Sequence, residues 1–105
     1  MKEISVLELK QKMESGEEFQ LIDVREQFEY DSANINGLLI PMGGILIEED
    51  KISRDIPVII HCRSGARSAA AIMQLETQLG FTNLFNLKGG IKAWAAEIDT
   101  TLKVD

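Results

Sequence analysis

The chain has 105 residues, 45% of them hydrophobic and 27% charged, and its 17 acidic and 11 basic residues leave a net charge of -6 at pH 7. That length fits one domain spanning residues 1–105, with a modest core that needs no staples. The acidic balance and the lack of a long basic run argue against nucleic acid and anionic membranes as partners, and one cysteine excludes an internal disulfide.

The opening Met1-Lys2-Glu3-Ile4 lacks the apolar region of a signal peptide. No stretch approaches a membrane span, so a reducing, cytoplasmic location is expected. Ser5-Val6-Leu7-Glu8 reads as a capping box, and Val6, Leu9 and Met13 then mark a helical face that ends near Gly16. Phe19 to Val24 is a predicted strand, and Leu38 to Ile40 is another, stopped by Pro41. Ile45 to Lys51 is Glu-rich and ambiguous between a loop and a short helix. Pro57 to His61, dominated by β-branched residues, predicts a buried strand. Ser68 to Leu79 predicts a helix with Ile72, Leu75 and Leu79 on one face and Gly80 as its stop. Leu84 to Leu87 is a short strand. Gly90 to Ile98 is a helix with Ile91, Trp94, Ala95 and Ile98 at i, i+3, i+4 and i+7. Strands alternating with helices argue for an α/β domain around a parallel sheet, where ligands sit beyond the carboxyl ends of the strands. Cys62 and the segment Asp23-Val24-Arg25 both fall at such ends.

The chemistry concentrates in Val58-Ile59-Ile60-His61-Cys62-Arg63-Ser64-Gly65-Ala66-Arg67-Ser68. A strand ends on the only cysteine, a short loop with two arginines and a glycine follows, and helical sequence begins. A cysteine attacks as its thiolate, so a reactive one needs a setting that favours negative charge. The next helix offers N-terminal amides, and the amides of Ser64, Gly65 and Ala66 can turn inward as an anion nest. Arg63 and Arg67 add full charges with bidentate reach. The bland alternative for Cys62 is a small core residue, but the arginines, the glycine and the helix start weigh against it.

Tyrosine phosphatases resemble this run in opening on His-Cys and closing on Arg-Ser or Arg-Thr, but their spacing is Cys-x5-Arg. Here it is Cys-x4-Arg, a six-residue loop and a tighter cup, better matched to one extra sulfur than to a phosphoryl group. The pattern Cys-Arg-x-Gly-x-Arg resembles the active-site loop of the rhodanese-like sulfurtransferases. Other segments agree: Asp23-Val24-Arg25-Glu26 with the acidic-aromatic run Phe28-Glu29-Tyr30, then Ile35-Asn36-Gly37 with Ile40-Pro41, then Gly89-Gly90-Ile91-Lys92-Ala93-Trp94. Two features depart from the commonest pattern: Ala33-Asn34-Ile35 stands where many members carry Gly-His-Ile, and the stretch from Ile35 to Pro41 is one residue shorter. Both are similar to rhodanese modules appended to adenylyltransferases that serve sulfur-carrier proteins.

The resemblance implies a three-layer domain with helices flanking a central parallel sheet. It also implies a thiosulfate sulfurtransferase whose catalytic Cys62 carries a persulfide, passed to cyanide, a thiol or a sulfur-carrier protein. Arg67, at the closing position of the loop, is expected to face inward and organise it. Arg63 would contact substrate at the rim or raise the local potential. Ser64 and Ser68 are expected to be structural, Ser68 as a helix cap, with a direct hydrogen bond to the persulfide or substrate as the lesser alternative, while Gly65 and Ala66 would contribute backbone amides. Asp23 and Arg25 would form an ion pair or hydrogen bonds that support the loop. His61 precedes Cys62 in a strand, so its side chain points to the opposite face and favours packing over general-base catalysis. No cysteine or histidine cluster has metal spacing and no dinucleotide fingerprint is present, so no cofactor or metal is expected. A Cys-dependent phosphatase or arsenate reductase, a non-catalytic binding module and a persulfide relay remain as alternatives.

Overall fold

The computed structural model describes residues 1–104. Five parallel strands form one sheet: β1 (Glu3–Ile4), β2 (Gln20–Asp23), β3 (Leu38–Leu39), β4 (Val58–His61) and β5 (Leu84–Leu87), in the spatial order β1-β5-β4-β2-β3. Four helices connect or follow them: α1 (Val6–Ser15), α2 (Gln27–Ser32), α3 (Ala66–Leu79) and α4 (Gly90–Glu97). Among the described residues no helix is long and apolar enough to cross a membrane.

Strand alternation builds two cores. Ile22 and Val24 from the β2 side and Val58, Ile60 and Cys62 from the β4 side meet Ala71, Ile72 and Leu75 of α3 on one face. Ile4, Ile59 and Leu87 meet Val6 and Leu9 of α1 and Ile91 and Trp94 of α4 on the other. The expected three layers are therefore present, with α3 on one side of the sheet and α1 and α4 on the other. The central strand β4 is buried along its whole length, as its run of apolar β-branched residues requires.

Local signals start and stop the elements. The Ser5 hydroxyl accepts the Glu8 amide at 3.1 Å while the Glu8 carboxylate accepts the Ser5 amide at 3.0 Å, which closes the expected capping box. Several boundaries move inward: the strand expected from Phe19 to Val24 spans Gln20–Asp23, and the one expected from Leu38 to Ile40 spans Leu38–Leu39. Ile45 to Lys51 is no α-helix. A short 3-10 turn at Met42–Gly44 precedes it and another at Glu49–Lys51 forms its end, and Ile45 and Ile52 anchor the stretch to the α3 core. Two elements had no sequence signal. β1 pairs with the edge of β5, and α2 has no buried residue to give it a periodic face.

Candidate active site

β4 delivers Cys62 to the carboxyl edge of the sheet, and β2 delivers Asp23 beside it, since Asp23 and His61 are register partners. From β2 the chain runs outward to β3, whereas from β4 it runs to β5 on the other side. Between strands that diverge this way a crevice opens at their carboxyl ends.

Cys62 is 1% exposed and lies beneath its loop. Its Sγ accepts the Gly65 amide at 3.1 Å and sits 3.4 Å from the Ser68 hydroxyl. Burial alone pushes the thiol up. The Ser68 hydroxyl and the amides of Ser68, Gly65 and Ser64 more than offset this, leaving its pKa below the ordinary thiol value. Gly65 makes the turn with φ of 117°, in a region that side chains rarely enter.

The loop is held open from outside by α4. The carbonyl of Cys62 accepts the Ile91 amide at 3.0 Å, and that of Arg63 accepts the Lys92 amide at 3.0 Å. Gly90 allows this approach: a Cβ there would lie 2.6 Å from the Cys62 carbonyl oxygen and closer still to that of Arg63. The Gly89-Gly90 pair thus lets the loop tie to α4 by its carbonyls.

Ser68 departs from its expected role. The helix begins at Ala66 and its cap, Gly65, has no side chain, so Ser68 is the third helical residue and caps nothing. Buried, its hydroxyl donates to Asn86 Oδ1 at 2.6 Å and lies 3.2 Å from the Gly65 carbonyl, while also facing Cys62. Asn86, on β5, donates its Nδ2 to the same Gly65 carbonyl at 3.2 Å. Sequence reasoning passed over Asn86, because a lone Asn between Phe85 and Leu87 gives no sign that its partner lies 18 residues away.

Arg67 does not turn its guanidinium into the cup. Its two terminal nitrogens donate to the two carboxylate oxygens of Glu29 on α2 at 2.7 and 2.9 Å. Glu29 Oε1 also accepts the Glu26 amide at 3.0 Å, so the carboxylate is fixed from the α2 side as well. The Arg67 hydrogen bonds hold the Glu29 carboxyl at about 2, well below the usual range, although partial burial opposes the shift. The acidic-aromatic run around Glu29 was visible in the sequence; its attachment to Arg67 was not.

Asp23 and Arg25 form the buried ion pair allowed for by their spacing. Arg25 Nη2 donates to Asp23 Oδ2 at 2.8 Å and to the Ala33 carbonyl at 2.7 Å, and its Nε donates to Asp23 Oδ1 at 3.0 Å. The pair fastens α2 to the end of β2, and between its two members the Val24 amide donates to the His61 carbonyl at 3.0 Å. His61 is fully buried beside Ile59 on the face opposite Cys62, its Nε2 3.6 Å from Asp23 Oδ2. Burial lowers its pKa and keeps the imidazole neutral, despite the pull of Asp23. Arg63 is half-buried on the loop, while Ser64 and Ala66 are exposed along its rim. Among the described residues no group of three or more His, Cys, Asp or Glu side chains is arranged to hold a metal ion.

The rhodanese-like domain family model matches residues 5–97 of the chain, and the chain belongs to that family. A protein of Allochromatium vinosum named "Sulfurtransferase" is 40% identical over 94 residues, covering 89% of this chain and 87% of that protein. The Mycobacterium tuberculosis protein named "Probable adenylyltransferase/sulfurtransferase MoeZ" is 37% identical over 98 residues, covering 90% of this chain. This chain spans only 25% of the length of MoeZ. Among solved structures, a rhodanese-like domain protein from Staphylococcus aureus superposes with a TM-score of 0.82 at 32% identity, covering 100% of this chain and 99% of that one.

Proposed function

We propose that this chain is a sulfurtransferase that carries sulfane sulfur as a persulfide on Cys62. The observation that carries the reading is the sulfur itself: a buried thiol beneath the amides of Ser64, Gly65 and Ser68, poised toward its anion. In the first half-reaction the Cys62 thiolate attacks the outer sulfur of a donor such as thiosulfate. A bond forms between the two sulfurs, the bond to the sulfonate sulfur breaks, and its electron pair leaves with sulfite. The amides that favour the thiolate stand around the same site and favour the persulfide anion equally. In the second half-reaction an acceptor thiolate or cyanide attacks the outer sulfur, and the electron pair returns to Cys62. Such covalent catalysis gives ping-pong kinetics.

Proton transfer needs no histidine in this scheme. His61 is neutral, buried and on the wrong face, while hydrogen bonds to the Cys62 sulfur favour its thiolate. With one cysteine in the chain, a loaded sulfur has no internal resolving thiol and must leave to an external acceptor. The likeness to a Bacillus subtilis protein named "Putative sulfur carrier protein YrkF", 34% identical over 98 residues, supports a sulfur-carrier protein as one such acceptor, and the free thiol suits the reducing cytoplasm.

The test is intact mass after mixing reduced protein with thiosulfate. A gain of one sulfur atom, cleared by cyanide and absent in Cys62→Ser with the fold retained, is the expected result. Sulfur loading by Cys62→Ser would overturn the assignment.

A further inference from the structure

We propose that Glu29 sets donor selectivity by occupying the guanidinium of Arg67, so that the cup receives small anionic donors without that charge and is biased toward weakly charged or protein-borne persulfides. The proposal rests on the persulfide reading above, and extends it to the class of donor.

The geometry argues for occupation rather than a chance contact. Both terminal nitrogens of Arg67 are engaged by both oxygens of Glu29, at 2.7 and 2.9 Å. This fork-to-fork pairing takes the end-on edge of the guanidinium, the one that both terminal nitrogens would otherwise offer to an incoming oxyanion. Each partner is also anchored. Arg67 stands in the first turn of α3, and Glu29 is held by the Glu26 amide in the first turn of α2. A sulfonate must therefore displace a preorganised carboxylate to pair end-on with Arg67. Arg25, which lines the same side, is already committed to buried Asp23 and to the Ala33 carbonyl. A cavity of about 330 Å³ borders the clasp, lined by Arg25, Phe28, Glu29, Arg67 and Lys103. An incoming anion there meets Glu29 as soon as it meets Arg67.

The experiment reads available positive charge at the sulfur without requiring sulfur transfer. Rates of Cys62 alkylation are measured with anionic iodoacetate and neutral iodoacetamide, in the natural chain and in Glu29→Gln. The ratio of the two rates should rise about fivefold in Glu29→Gln, the effect of one additional accessible charge in a half-solvated site. It should fall back in Glu29→Gln combined with Arg67→Gln. Glu29→Asp keeps the negative charge but shortens the reach, so it should also raise the ratio; it decides the matter if Glu29→Gln does not fold. In parallel, KM for thiosulfate should fall in Glu29→Gln with little change in kcat. An unchanged alkylation ratio in a folded Glu29 variant overturns the proposal, as does a gain that persists without Arg67, which would reflect loss of simple repulsion. Failure of thiosulfate to load any variant would count instead against the sulfur-transfer reading, because alkylation does not depend on it.

Discussion

At the scale of single residues, the thiol and its neighbours divide into what the sequence displays and what only folding assembles. Cys62, Gly65 and the helix that follows are contiguous, so the anion cup could be read from the chain, although the helix starts at Ala66, two residues before the expected Ser68. Ser68 and Asn86 could not be read so. A serine near a helix start is normally a cap, and only the third-residue position turns its hydroxyl toward the sulfur. The Ser68 hydroxyl has one hydrogen to share among Asn86 Oδ1, the Gly65 carbonyl and the Cys62 sulfur. In the thiolate state that hydrogen can turn to the sulfur. Ser68→Ala removes the largest of the hydrogen bonds that lower the thiol, so its folded-state pKa should rise. The rate of iodoacetamide alkylation against pH should then have its midpoint at higher pH. At pH 7 the rate should fall roughly tenfold, the worth of about 1.5 kcal/mol for a hydrogen bond to an ion. An unshifted midpoint would remove Ser68 from the account of the thiolate.

At the scale of elements, what could be read followed from how much apolar surface each one buries. β4 and α3 carry apolar runs with clear periods and were found in place, as was α1 with its cap. β1 is only two residues long, and exists because the Asn86 and Lys88 amides donate to Lys2 and Ile4 carbonyls at 2.9 Å across the sheet edge. α2 buries no residue, its Phe28 is exposed, and it is fixed by Arg25 just before it and by Arg67 from α3, so no apolar periodicity announced it. The Gly89-Gly90 pair shows the opposite case: visible in the sequence, its purpose lay in another element. Gly90 has φ of 60° and abuts the carbonyls of Cys62 and Arg63. Gly90→Ala should cost about 3 kcal/mol from backbone strain and forced separation. A denaturant titration should show it as a lower midpoint with unchanged slope, and sulfur loading should fall with it. A melt like that of the natural chain would mean that α4 can move away freely.

At the scale of the whole molecule, the sheet concentrates the cost of function in one buried polar seam. Asp23, Arg25 and His61 are all buried at the carboxyl edge, where an ordinary core would place apolar groups. Arg25→Ala leaves Asp23 without its main partner and should cost about 3–5 kcal/mol, read as loss of stability in urea. Asp23→Leu combined with Arg25→Met removes both charges and should be less destabilised than Arg25→Ala alone. If the double variant were the weaker of the two, the pair would be stabilising in its own right rather than costly only when broken.

The depth of Cys62 has a consequence for what can be left behind on it. The sulfur is 1% exposed, and an added sulfur lies about 2 Å beyond it. The outer atom is therefore the one a bulky thiol can strike, while the inner atom is roofed by its own loop. Attack outside hands the cargo over; attack inside would cross-link the two molecules as a mixed disulfide. In the proposed reaction the floor of the cup is a steric sieve on regiochemistry, which would keep the lone cysteine from becoming a trap for its acceptor thiol.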